Sequence, residues 1–461
     1  MLSLFGSYII GRFVWIVKVQ NFYKLLFAFI AMNNTDFNFN FGDKVRLKIS
    51  DEAVEGTILE SPDSEFYLVK LKSGYNIGVR KENVNNVAVL GKAEVVKEKP
   101  LELPKNSLPR IDIIMTGGTI SSRVDYKTGG VTSLTKPEDF FRFYPEIFEV
   151  VQINEVMMPF MKPSENMEYK DWKEIGECVE KSLNNPEVEG VIITHGTDIL
   201  HYTSAILSFF FPKPNKPIVL TFSQRSTDRA SSDASLNLQC AAQTATSNIA
   251  EVVIVGHENT NDDSCYALLG TKVRKMHSTA RDTFKPINTA PLARVWADGK
   301  IEKITPFRER SPRTEKNEKV KGDIVFNEKI GMIKFYPGQK PEILEYYTKN
   351  YEGLIIEGTG MGHVITDGEK NWIPMIKKAI NNGLLIFMTT QTIKGRTNKY
   401  VYSPLRELSK AGVIFLDDML AETAFVKLGW VMGHKAWKDK EMIKKKMLEN
   451  ISGEFNERIL K

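Results

Sequence analysis

Two short, mostly apolar runs, residues 111–115 and 191–194, each stop at a segment built from glycine and hydroxyl or acid side chains, Thr116-Gly117-Gly118-Thr119-Ile120 and His195-Gly196-Thr197-Asp198. A short apolar run bounded by glycine fits a strand buried on both faces, and such strands normally alternate with helices. The chain carries that alternation. Further runs at 218–222 and 252–255 are separated by helical stretches at 169–183, 204–210 and 236–247. After a charged, proline-containing stretch at 303–322, strands are expected at 332–336, 353–357, 384–389 and 413–415, with helices at 372–381 and 404–411. The predicted fold class is α/β, with a mainly parallel sheet in a larger domain followed by a smaller α/β domain. Ligands bind open parallel sheets beyond the carboxyl ends of their strands. That rule singles out 116–122, 194–198, 223–232, 357–363 and 389–396.

Ahead of this region the period changes. Val45, Leu47 and Ile49 alternate with Lys44, Arg46 and Lys48, the pattern of a half-buried strand. Runs at 55–59, 66–71, 76–80 and 85–89 continue it, broken by Ser61-Pro62-Asp63 and Ser73-Gly74 turns. Five closely spaced short strands predict a small all-β barrel, which would remove the edges they otherwise expose. Residues 92–109, rich in Lys, Glu and Pro, read as a linker. Residues 435–461, carrying Lys444-Lys445-Lys446, read as a basic terminal helix with a solvated face, contact with RNA being the alternative. Residues 1–31 are strongly apolar, but Arg12, Lys18 and Lys24 interrupt them and leave no span of membrane length. Met32, followed by Asn33-Asn34-Thr35, is read as the start of translation; a membrane-surface or anchor helix is the other reading.

A chain of 461 residues exceeds one ordinary core. The boundaries expected are 1–31 (doubtful apolar extension), 38–91 (barrel), 92–109 (linker), 110–302 (larger α/β domain with the catalytic residues), 303–325 (interdomain linker), 326–434 (smaller α/β domain) and 435–461 (basic terminal helix). A hydrophobic fraction of 42% with 26% charged residues fits a soluble globular protein. The net charge of +5 is mild; it would help an RNA partner associate without requiring one. Three widely spaced cysteines, Cys178, Cys240 and Cys265, make no disulfide framework and no zinc knuckle, which points to a reducing, cytoplasmic compartment.

Thr116-Gly117-Gly118-Thr119 has neither the glycine spacing of a dinucleotide fingerprint nor the Gly-Lys-Thr/Ser of a phosphate loop. Its two glycines permit a tight turn that presents a hydroxyl and backbone N–H groups to a substrate; a plain structural turn explains it equally well. Thr197 and Asp198 stand where a strand becomes a helix, where either could cap the free N–H groups. Alternatively, Thr197 holds a water while Asp198 orients a nearby ammonium group. His195 and His201 have no convincing third ligand, so no metal is expected. A threonine nucleophile needs a base, and a lysine serves if its proton is loosened. Spacing does not choose among Lys272, Lys275 and Lys285.

At these residues the chain resembles the bacterial-type L-asparaginase family, whose two signatures match Thr116–Ile120 and Thr194–Asp198 in the right order. The resemblance covers roughly Arg110 to Gly433. It implies a larger Rossmann-like domain, a smaller C-terminal α/β domain and at least a dimer. It makes Thr119 the nucleophile and Thr197 and Asp198 members of the second catalytic group. Through Arg281-Asp282-Thr283-Phe284-Lys285 and Ala290-Pro291-Leu292 it places the catalytic lysine at Lys275. Ser164-Glu165-Asn166-Met167 looks like the substrate-binding segment, with Ser164 and Glu165 as contacts, and Tyr126 is the candidate lid residue, although the loop after Thr119 is shorter than usual. Free asparaginases start almost at the first signature. The preceding barrel, with Glu357-Gly358-Thr359-Gly360-Met361-Gly362-His363 and Thr389-Thr390-Gln391, is instead similar to the D-subunit family of archaeal glutamyl-tRNA(Gln) amidotransferases.

That likeness implies a glutaminase that releases ammonia from glutamine through a threonine acyl-enzyme. The amidotransferase's E subunit, as partner, would use it to convert Glu-tRNA(Gln) to Gln-tRNA(Gln). No cofactor is implied in this chain; ATP and magnesium would belong to the partner, and the assembly implied is a homodimer within a heterotetramer, with no membrane. A free L-asparaginase is the alternative enzyme, and a scaffold with a decayed site the alternative class.

Overall fold

The computed structural model describes residues 37–50, 52–61, 63–71, 76–92, 107–124, 131–133, 141, 144–226, 231–310 and 319–458. They fall into two compact units, the first drawn from 1–98 with 124–130 and the second from 99–123 with 131–461. The apolar extension with Met32, most of the first linker, and Tyr126 lie outside the described residues.

The first unit contains β1 (Lys44–Ile49), β2 (Glu52–Leu59), β3 (Phe66–Leu71), β4 (Asn76–Arg80) and β5 (Val84–Gly91). They form one antiparallel sheet in the order β4-β3-β2-β1-β5. The alternation in β1 sends Val45 and Leu47 inward, where Ile58, Val69, Val79 and Val84 join them in a small apolar core. A 3-10 turn, Lys81–Asn83, carries the chain from β4 to β5, and no ladder joins these two strands among the described residues. In its strand pairing the all-β unit is therefore an open five-stranded sheet, with β4 and β5 at its edges, rather than the edge-free barrel its strand spacing suggests.

The second unit runs through β6 (Arg110–Met115), β7 (Ser122–Val124), β8 (Val131–Ser133), α1 (Ile147–Val150), β9 (Gln152–Met157), α2 (Tyr169–Leu183), β10 (Gly190–Thr194), α3 (Leu200–Phe210), β11 (Ile218–Thr221), α4 (Ala234–Ala245) and β12 (Val252–His257). Short strands come next: β13 (Cys265–Leu269), β14 (Val273–Lys275), β15 (Phe284–Pro286), β16 (Ala293–Val295) and β17 (Ile301–Lys303). The main sheet has the order β17-β16-β13-β12-β11-β10-β6-β9. Its strands from β12 to β9 are parallel, and β13, β16 and β17 extend it antiparallel. Successive residues of the central strands feed opposite cores, because strand side chains alternate. Val191 and Ile193 pack with α2 and α3, whereas Ile192 packs with α4. From β6 the chain steps outward to β9 and then back across to β10, so the carboxyl ends of β6 and β10 form a topological switch point.

A second, fully parallel sheet is made of β18 (Ile330–Lys334), β19 (Gly353–Gly358), β20 (Leu385–Thr390) and β21 (Ile414–Phe415). Helices α5 (Ile343–Asn350), α6 (Ile373–Asn381) and α7 (Ser403–Lys410) share an apolar core with one face of it, centred on the fully buried Trp372. The other face shares a continuous core with α3 through α8 (Ala421–Gly433), so the two α/β layers are joined by apolar packing. The connection between them is anchored at both ends. Ala250 N donates to Arg308 O, and Val320 N donates to Asn184 Oδ1. No helix among the described residues is long and apolar enough to cross a membrane.

The single basic helix expected from 435 to 461 is shorter. Helix α9 (Lys440–Leu448) starts at Asp439, whose carboxylate accepts from the N–H groups of Glu441 and Met442. Beyond it the chain turns back. Glu454 accepts from the N–H groups of Ile451 and Ser452 and meets Lys427 Nζ at 2.5 Å, both side chains being fully buried. A buried ion pair forbids continuation of a solvated helix because the carboxylate must face the lysine inside α8. Removing one partner of such a pair strands a charge, so Glu454→Leu is expected to cost about 3–5 kcal/mol in urea unfolding. The double change Lys427→Met with Glu454→Leu should recover at least half of that loss.

Candidate active site

Three loops meet at the switch point, and glycine decides how closely. Gly118 has a φ of +82°, and a Cβ on it would lie 2.4 Å from both Cα and N of Gly196. A Cβ on Gly196 would lie 2.7 Å from Ser164 Oγ, and one on Gly117 (φ +111°) 2.5 Å from Lys162 O. At Gly117 and Gly118 only glycine tolerates both the left-handed backbone and the contact. Hydrogen bonds complete the joint: Thr116 Oγ1 donates to Thr194 O at 2.9 Å, Lys162 N donates to Thr116 O at 3.1 Å, and Asp198 N donates to Ser164 Oγ at 3.2 Å. The turn after β6, the segment after β9 and the loop after β10 are thus one backbone assembly.

Thr119 opens the 3-10 turn Thr119–Ser121 directly after Gly118 and is half-buried. Thr197 and Asp198 lie on the facing loop, just ahead of α3. Lys275, at the end of β14, donates from Nζ to Thr197 Oγ1 and to Asp198 Oδ1, both at 2.8 Å. Its side chain is 13% exposed. Geometry chooses among the lysines. Lys272 Nζ is buried against Asp418 Oδ2 at 2.7 Å, and Lys285 Nζ is bound to Asp282 Oδ2 at 2.6 Å and Glu258 O. Neither faces Thr197. Ser164 is buried between the loops, and Glu165 is exposed on the same turn, Ser164–Asn166.

His195 has a structural environment. Gly196 O can only accept, so the ring Nδ1, 2.6 Å away, carries the proton. Nε2 then accepts from Thr203 Oγ1 at 2.9 Å, and the indole N–H of Trp172 donates to the same hydroxyl at 3.0 Å. Full burial lowers the His195 pKa to about 4, and His201 falls to about 3 through burial and the nearby Arg274 and Lys275 charges. No cluster of three or more His, Cys, Asp or Glu side chains that could hold a metal occurs among the described residues. The strand-end segments of the second sheet close on one another instead: Thr359 N donates to His363 O, and Gln391 Nε2 donates to Glu357 O at 2.8 Å.

The sequence offered no sign of Arg274, which precedes Lys275 and whose Nη2 lies 2.9 Å from Glu422 Oε1 of α8. The residues are far apart in the chain and neither belongs to a signature. The close approach of Gly118 to Gly196 had a trace in the paired glycines, but no pattern tells which two glycines will touch.

Three known families match consecutive parts of the chain: "GatD N-terminal domain" over residues 39–90, "Asparaginase, N-terminal" over 110–307 and "Glutaminase/Asparaginase C-terminal domain" over 329–447. The D subunit of the glutamyl-tRNA(Gln) amidotransferase of Thermococcus kodakarensis is 44% identical over 426 residues, spanning 90% of this chain and 94% of that protein. Its counterpart in Methanococcus maripaludis is 41% identical over 427 residues, spanning 91% and 98%. Among solved structures, the thermostable L-asparaginase from Thermococcus kodakarensis superposes with a TM-score of 0.65 at 29% identity, over 75% of this chain and 99% of that one. Fold and site together define an amidase-type enzyme of asparaginase architecture. The chain belongs, within that class, to the family of glutamyl-tRNA(Gln) amidotransferase D subunits.

The construction of the site sets two expected outcomes. Gly118→Ala should lose about 2–4 kcal/mol of stability, from the left-handed backbone and the overpacked contact, and abolish amide hydrolysis. His195 is a base whose folded-state pKa lies below its unfolded value of about 6.5, so its contribution is complete above that pH and disappears as pH falls toward about 4. Denaturant unfolding should therefore lose up to about 3 kcal/mol from this group over that window, and His195→Gln should flatten the slope.

Proposed function

We propose that this chain is the ammonia-releasing component of a glutamyl-tRNA(Gln) amidotransferase. Thr119 Oγ attacks the carboxamide carbon of glutamine and gives its proton to the group formed by Thr197, Asp198 and Lys275. Backbone N–H groups of the glycine turn receive the oxyanion. The C–N bond breaks once the departing nitrogen has gained a proton, and ammonia leaves a glutamyl ester on Thr119. Water, positioned at Thr197, then cleaves the ester to glutamate and restores the hydroxyl. Ser164 and Glu165 contact the α-substituents of the substrate. The observation that carries this reading is the 2.8 Å pairing of Lys275 Nζ with both Thr197 Oγ1 and Asp198 Oδ1, on a loop in backbone contact with the turn that presents Thr119.

The relatives are named for a tRNA amidotransferase, so the ammonia is read as the nitrogen source for the partner E subunit, which activates Glu-tRNA(Gln) with ATP and magnesium and yields Gln-tRNA(Gln). The assembly proposed is a homodimer of this chain within a heterotetramer. Thr119→Ala is expected to reduce glutamine-dependent amidation of Glu-tRNA(Gln) by about a thousandfold or more while leaving amidation from added ammonium chloride intact. Retention of glutamine hydrolysis by that variant would overturn the mechanism. Full hydrolysis of asparagine by the isolated chain, unaffected by the partner and Glu-tRNA(Gln), would replace the assignment with a free L-asparaginase.

A further inference from the structure

The strand that delivers Lys275 is only three residues long, yet it is fastened to the second α/β layer at three closely spaced points. Thr423 Oγ1 donates to Thr271 O at 2.9 Å. Lys272 Nζ lies 2.7 Å from Asp418 Oδ2, with both side chains buried. Arg274 Nη2 lies 2.9 Å from Glu422 Oε1. Residues 271–274 are thus zipped onto 418–423, which is the first turn of α8 and the segment leading into it. Asp418 is itself held: its carboxylate accepts from Asn456 N at 3.0 Å and from Asn456 Nδ2 at 2.9 Å.

Neighbouring side chains on a strand leave it on opposite sides. Arg274 therefore points to α8 while Lys275 points to Thr197 and Asp198, and pulling on one aims the other. Across the β14–β15 ladder Arg274 stands opposite Lys285, whose ammonium is itself paired with Asp282. Glu422 is the carboxylate that meets the Arg274 guanidinium. His201, whose Nε2 is 4.0 Å from Glu422 Oε1, is buried in its neutral form and does not substitute for the guanidinium.

We infer that the Arg274–Glu422 pair, backed by Lys272–Asp418 and Thr271–Thr423, is the positioning device for Lys275, so that the smaller α/β layer sets where the ammonium group of the larger layer's site sits. This rests on the reading of Lys275 as a catalytic residue. The leverage is geometric, since a misplacement of about 1 Å at a reacting group can cost about a hundredfold in rate.

The test is steady-state glutamine hydrolysis by the full chain with its partner, expressed per folded protein from circular dichroism, for Arg274→Met, Glu422→Gln, Arg274→Lys and the exchange Arg274→Glu with Glu422→Arg. Lys275→Met is measured beside them. Arg274→Met and Glu422→Gln are expected to lower kcat about 10–100-fold with KM changed less than about threefold. Arg274→Lys and the exchange should each recover part of kcat. Wild-type kcat in Arg274→Met and Glu422→Gln, with Lys275→Met inactive, would overturn the positioning role while leaving the lysine's role standing. So would a loss of activity that merely tracks the folded fraction, or equal loss in the single variants and in both rescues. Activity in Lys275→Met would remove the lysine's role and the device with it.

Discussion

At Gly118 the backbone of the turn that follows β6 rests on the backbone of Gly196, with no room for even a methyl group between them. That contact sets the turn that carries Thr119 against the loop that carries Thr197 and Asp198. A Cβ at Gly118 would lie 2.4 Å from Gly196 Cα and N, so any other residue there forces the two loops apart. The parallel pairing of β6 with β10, in register from Gly190 opposite Ile111 to Thr194 opposite Met115, delivers both turns to the same height. The sheet thus supplies the coarse alignment and the glycines the last ångströms.

Around this joint the site is assembled from polar groups whose partners are already specified. His195 is neutral and locked between Gly196 O and Thr203, and Trp172 fixes Thr203 in turn. A buried network with every member satisfied is rigid, so the loop bearing Thr197 and Asp198 starts from a firm base. The ammonium of Lys275 is added from outside the parallel core, on a short antiparallel pair that is braced against α8. The segment that carries Lys275 is in this sense held by two layers, and the apolar core continuous through α3 and α8 keeps those layers together.

Much of the architecture was legible in the chain. Strand and helix alternate with distinct periods, so β1, the central strands and α2 appear where the apolar spacing predicts them; α2 occupies Tyr169–Leu183 as expected. The antiparallel additions β13 to β17 were not legible, since most are three residues long and too short to show an alternation. The open edges of the all-β sheet and the turned-back C-terminal segment escaped for a related reason. Each turns on which partners meet: β5 pairs with β1 rather than with its chain neighbour β4, and Lys427 meets Glu454.

Local composition and period were enough for the α/β class, for the strand-end positions of the two polar signatures and for the identity of their hydroxyls, because they encode where a buried strand stops and which residues succeed it. Resemblance pointed to Lys275, but spacing left Lys272 and Lys285 equally eligible. Tertiary structure alone separated the three lysines, by giving Lys272 to Asp418, Lys285 to Asp282, and Lys275 to Thr197 and Asp198. The physical reason is that a charged side chain takes its role from the partner it meets, and these partners lie up to 146 positions away along the chain.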